Sequence, residues 1–84
     1  MTYRIVIAKQ ATKDMKKLGA VMRKRVDLAI DVLRGDPFAG KRLQGELDGT
    51  WSLRVWPYRI IYTIHQKIVT VTVLHVGHRQ SVYK

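Results

Sequence analysis

The 84-residue chain has no cysteine, only two prolines and one phenylalanine, and not a single carboxylate after Asp48. Without thiols it forms no disulfide and offers no thiolate ligand or nucleophile, a pattern compatible with a reducing compartment. No segment reaches the roughly 18 consecutive apolar residues of a membrane span. The opening MTYRIVIAKQ also lacks the apolar region and small-residue cleavage site of a secretory signal. The expectation is a cytoplasmic protein with no membrane partner. The missing carboxylates also remove the usual oxygen ligands from the second half, and the three histidines (His65, His75, His78) lack helical ligand spacing. No metal site and no cofactor are therefore expected.

What the chain has in excess is positive charge. Sixteen Lys and Arg against six Asp and Glu give a net charge of +10 on one small domain, residues 1–84. A field of that sign favours polyanions, nucleic acid foremost. The hydrophobic share of 46% is high enough for a packed core rather than a disordered tail. Lys9, Lys13, Lys16, Lys17, Arg23, Lys24 and Arg25 sit in helical territory, as a solvated surface or as contacts to RNA phosphates that weaken steeply with salt.

Hydrophobic periodicity gives the order of elements. TYRIVIA alternates and is β-branched, predicting a strand over 2–8. Ala11, Met15 and Leu18 mark one face of a helix over 9–18, which Gly19 ends. Met22, Val26, Ala29, Ile30 and Leu33 mark a second helix over 21–33, stopped by Gly35, Asp36 and Pro37. After a glycine-rich loop with a Pro-Phe pair, strands follow over 51–55, 58–65 and 68–76, with Gln66-Lys67 as a turn and Gly77 ending the sheet. The predicted fold is α+β, an antiparallel twisted sheet in the order β-α-α-β-β-β with a helical hairpin on one face.

Within that sheet the stretch SLRVWPYRIIY, residues 52–62, poses an electrostatic problem. If Trp56-Pro57 is a two-residue loop, Val55 faces Tyr58, Arg54 faces Arg59 and Leu53 faces Ile60, so both guanidinium groups share the face away from the core. An odd loop length separates them. Like charges opposed across a ladder destabilise it. Two explanations stand: an anion held between them, or solvated heads whose stems cover apolar surface. Trp51 alternates with Leu53 and Val55 and is placed in the core. Trp56 shares Arg54's side, to stack on a base or to pack beneath a protein partner. His75 alternates with Val71 and Val73 and is read as a rim residue.

Taken in order, TYRIVI, a helix ending in KKL, LQGELDGTWSLRV, YRIIY and the closing VGHRQSVY resemble the RelE/ParE superfamily of bacterial toxins across essentially the whole chain. The resemblance implies a microbial-ribonuclease-like fold that cuts messenger RNA in the ribosomal A site and is restrained by a cognate, RelB-like antitoxin. It matches Arg59 and Arg79 to the two arginines that RelE-type ribonucleases place on the scissile phosphate, and Tyr83 to their C-terminal tyrosine. Arg54 stands where those enzymes have one lysine, and Ser52 where they have another. The superfamily also holds ParE-type gyrase poisons, which lack the RNA-cleaving residues. A gyrase inhibitor, or a basic nucleic-acid-binding module that cuts nothing, is the alternative.

The chemistry can be stated from the side chains themselves. Attack by an RNA 2′-hydroxyl needs a proton removed, a doubly charged phosphorane stabilised and the departing 5′-oxygen protonated. Arginine forks suit the second task and no other, because they match phosphate oxygens bidentately and never deprotonate. That leaves Tyr83, as base or as a stacking platform, and His78, as acid or base, for proton transfer. The candidate site is therefore Arg54, Arg59, Arg79, Tyr83 and His78, with Trp56 for RNA contact. The antitoxin is expected to be acidic or amphipathic, covering the cationic face.

Overall fold

A computed structural model of the chain describes residues 2–78. Its elements are β1 (Arg4–Ile7), α1 (Lys9–Lys16), α2 (Ala20–Gly35), β2 (Lys41–Arg42), β3 (Trp51–Val55), β4 (Tyr58–His65) and β5 (Thr70–His78), with single 3-10 turns at Pro37–Ala39, Gly45–Leu47 and Gln66–Ile68. The strands make one mixed, mostly antiparallel sheet in the order β1-β5-β4-β3-β2. None of the described helices is long and apolar enough to cross a membrane.

The helices bury the stripes that their periodicity marks. Ala11 and Met15 of α1, and Val26, Ile30 and Leu33 of α2, meet Val55, Ile60, Tyr62, Val71, Val73 and Val76 of the sheet. Met22, Ala29, Leu18 and Trp51 pack around them, half-buried. Trp51 is stacked near Tyr62 at 6.4 Å between ring centroids, and Phe38 meets Trp51 edge-on at 5.4 Å. The Pro-Phe pair divides its work: Pro37 is buried while Phe38 stays exposed.

Three features depart from the expected sheet. First, β1 runs parallel to β5, with Ile5 opposite Val71 and Ile7 opposite Val73, so the N-terminal strand closes one edge instead of extending an antiparallel meander. Second, Gly77 does not end the sheet. It pairs with Arg59, and β5 continues through His78 opposite Tyr58. A residue without a side chain at that point leaves the surface above it open to the Arg59 side chain. Third, β5 starts at Thr70, two residues late, because a 3-10 turn over Gln66–Ile68 and a left-handed Val69 (φ 49°) replace a tight two-residue turn.

A β-bulge sits in the β4–β5 ladder. Ile61 faces His75 but the next residue, Tyr62, faces Val73, which leaves Leu74 as the extra residue. Alternation is reset across a bulge. Val71 and Val73 therefore point into the core, whereas His75 joins Ile61 on the opposite face, overturning its reading as a companion of the two valines.

Candidate functional site

The register of β3 and β4 places the arginines together. Val55 pairs with Tyr58, Arg54 with Arg59 and Leu53 with Ile60, and the loop between them is Trp56-Pro57. Leu53 and Ile60 pack in the core, so Arg54 and Arg59 share the outer face. Arg54 is exposed and Arg59 half-buried. The Arg54 guanidinium lies 5.1 Å from the centroid of the Trp56 ring, and that ring is itself 46% exposed. Such stacking steadies an otherwise mobile head group and leaves its in-plane N–H donors available to an anion.

The same face carries a second row of residues. Lys41 of β2 pairs with Ser52 of β3, Ser52 with Ile61 of β4, and Ile61 with His75 of β5. Residues paired across a ladder project on one side, so Lys41, Ser52, Ile61 and His75 run alongside Arg54, Arg59 and Gly77. Lys41, Ser52, Leu53, Arg54 and Arg59, with Ala39 and Gly40, line a cavity of about 430 Å³. Three of these groups are cationic, and no carboxylate among the described residues lines the cavity.

Tyr62 fixes the near wall. Its buried hydroxyl donates to the Pro37 carbonyl at 2.8 Å and accepts from the Gly40 N–H at 3.1 Å, tying the loop before β2 to β4. Burial pushes the phenol above its ordinary range, an effect partly offset by the Gly40 N–H, so it stays a neutral donor. Asp36 caps the adjoining 3-10 turn by accepting from the Phe38 N–H.

At the far end, His75 is held by Asp14 of α1. The His75 Nδ1 lies 2.5 Å from Asp14 Oδ2, which also accepts from the Val76 N–H at 2.9 Å, while Gln10 Nε2 donates to Oδ1 at 2.8 Å. An ionised carboxylate only accepts, so Nδ1 carries the proton. β1 stops pairing at Val73, and Asp14 takes over the next free N–H on that edge of β5. Sequence reading missed this carboxylate, because an Asp among lysines on a short helix looks solvated. Replacing Asp14 with alanine strands a buried backbone donor and is expected to cost about 2 to 3 kcal/mol in urea unfolding, with Asp14→Asn costing less.

His78 is not brought into the cavity. It pairs with Tyr58 on the side opposite Arg59, its ring edge-on to Tyr58 with centroids 6.0 Å apart. Arg79 and Tyr83 lie outside the described residues. The described part of the site is thus an arginine pair, a tryptophan under one of them, and a lysine that periodicity had not singled out.

Comparison with known proteins gives this geometry a setting. Residues 5–83 match the family described as the ParE toxin of the type II toxin-antitoxin system parDE. The chain is 35% identical to Toxin RelG of Mycobacterium tuberculosis, over 100% of this chain and 99% of that protein. Its fold is similar to a chain of the RelBE2 toxin-antitoxin complex from the same organism, with a TM-score of 0.86 at 34% identity over 94% of this chain and 100% of that one. It is also similar to a chain of the archaeal RelE-RelB complex from Pyrococcus horikoshii OT3, with a TM-score of 0.81 at 28% identity over 96% and 99% of the two.

Proposed function

The chain belongs to the RelE/ParE superfamily of type II toxin-antitoxin toxins, and from that premise we propose that it is an endoribonuclease that cleaves messenger RNA in the ribosomal A site. The observation that carries the reading is the Arg54–Arg59 pair, opposed across one ladder at a cavity lined by no carboxylate among the described residues. A phosphodiester between the two forks relieves their mutual repulsion. It becomes more negative as the 2′-oxygen attacks, so donors held in place gain strength where charge develops. Arg79 and Tyr83 are proposed to complete the phosphate contacts and the proton transfer or stacking. Trp56 offers a face for a base.

Restraint by a RelB-like antitoxin is part of the same proposal, supported by the toxin-antitoxin complexes among the similar structures. A partner rich in acidic residues neutralises the cationic face that RNA needs.

The family description itself names ParE, which favours a second reading as a gyrase inhibitor. One experiment separates them. Primer extension on a message under translation is expected to show new 5′ ends with the wild-type toxin and at least a hundredfold fewer with Arg79→Ala. An intact message in both cases, with gyrase cleavage complexes accumulating in their place, overturns the nuclease reading.

A further inference from the structure

We infer that Lys41 is a catalytic residue of this site, the acid that protonates the departing 5′-oxygen of the RNA. The inference rests on the nuclease reading and adds to it a group that neither periodicity nor family membership supplies. Arg54 and Arg59 bind charge but keep their protons at any physiological pH. Ser52, in the same cavity, has no charge to offer. Of the described residues lining the cavity, Lys41 is the one able to give up a proton.

Geometry puts it within reach. β2 is only two residues long, yet its register sets Lys41 directly opposite Ser52 and two strands away from Arg59. With strands about 4.8 Å apart and a two-residue offset of about 7 Å along β4, the Lys41 and Arg59 backbones are separated by about 12 Å. An extended lysine and an extended arginine leaning together span that gap with a phosphate between them. Lys41 is exposed, so its ammonium keeps its hydration until substrate arrives. The placement is enforced from behind. Gly40 N–H is held by Tyr62, and a side chain on Gly40 would collide with the Ser52 carbonyl, so Lys41 enters the sheet at one register.

In the step proposed, the 2′-oxygen forms a bond to phosphorus as the bond from phosphorus to the 5′-oxygen breaks. The 2′-hydroxyl proton passes to solvent water, and the Lys41 ammonium gives its proton to the 5′-oxygen. The products are a 2′,3′-cyclic phosphate and a free 5′-hydroxyl, and the amine regains a proton from solvent. No oxidant, reductant or metal enters the balance.

The test uses full-length toxin on programmed ribosomes in single-turnover cleavage, with messages carrying either an ordinary 5′-oxygen or a 5′-bridging sulfur at the cut site. Sulfur leaves without protonation. Lys41→Ala is expected to slow the oxygen substrate by about a hundredfold and the sulfur substrate by much less. Lys41→Arg, which keeps the charge but not the proton transfer, is expected to stay close to Lys41→Ala. Adding Ser52→Lys to Lys41→Ala restores an amine on the neighbouring strand and is expected to recover about tenfold or more. Full activity in Lys41→Ala, rescue by Lys41→Arg, or equal losses on both substrates overturns the assignment while leaving the nuclease reading in place. A wild-type toxin that leaves both messages intact overturns the two together.

Discussion

Replacing Arg59 with alanine is expected to slow cleavage of ribosome-bound message by about 100-fold to 1000-fold, the largest activity loss of any described residue. Arg59 sits at the middle of its row on the outer face, opposite Arg54 on one side and Gly77 on the other. It is half-buried, so its charge is less screened than that of exposed Arg54. A guanidinium in that position is already oriented before the phosphorane forms, and its removal leaves developing charge to water. Arg59→Lys keeps one positive charge but loses the planar fork, and an intermediate loss is expected. Single-turnover rates on programmed ribosomes measure both. A loss under fivefold for Arg59→Ala would show that this arginine is not on the phosphate.

The largest expected effect on stability comes from adding one methyl group. Gly40 has an ordinary negative φ of −82°, so its requirement for glycine is one of space and not of backbone conformation. A Cβ built there falls against the Tyr62 hydroxyl and 2.6 Å from the Ser52 carbonyl oxygen. The carbonyl belongs to the strand that pairs with β2, so relief requires the β2–β3 ladder to part. Overpacking of this kind costs about 3 kcal/mol. For a domain of this size that lowers the melting temperature by about 12 to 24 °C. Combining Gly40→Ala with Tyr62→Phe removes the hydroxyl but not the carbonyl, and only part of the loss should return. Calorimetry of the single and double variants checks this, and a melting temperature within 3 °C of wild type for Gly40→Ala would contradict it.

The two predictions draw on features of unequal visibility in the sequence. The arginine pair was legible because its determinants are local: a period of two, a two-residue loop and a core face marked by Leu53 and Ile60 fix the register of one hairpin. The helices were legible for the same reason, through Ala11 and Met15 and through Val26, Ile30 and Leu33. The parallel seat of β1 beside β5 was not, since the two strands are about sixty residues apart and alternation carries no information about direction. Lys41 escaped notice because a two-residue strand in a glycine-rich loop has no period to detect. Asp14 was hidden by its lysine neighbours. His78 was legible in part: alternation alone sets it on a different side from its neighbour, and its pairing with Tyr58 places it away from Arg59.

The extra residue at Leu74 has an evolutionary corollary. Because it is left out of the ladder, whether it pairs or bulges, and not merely the composition of the last strand, decides which residues meet solvent beyond it. Pairing Leu74 in the ladder would leave a strand just as hydrophobic yet swap His75 and Gly77 to the inside and Val76 to the outside, whereas deleting it would keep all three where they are. Relatives that lose a single residue there would keep the same working surface and shed only the bulge, a change that comparisons counting only substitutions would overlook.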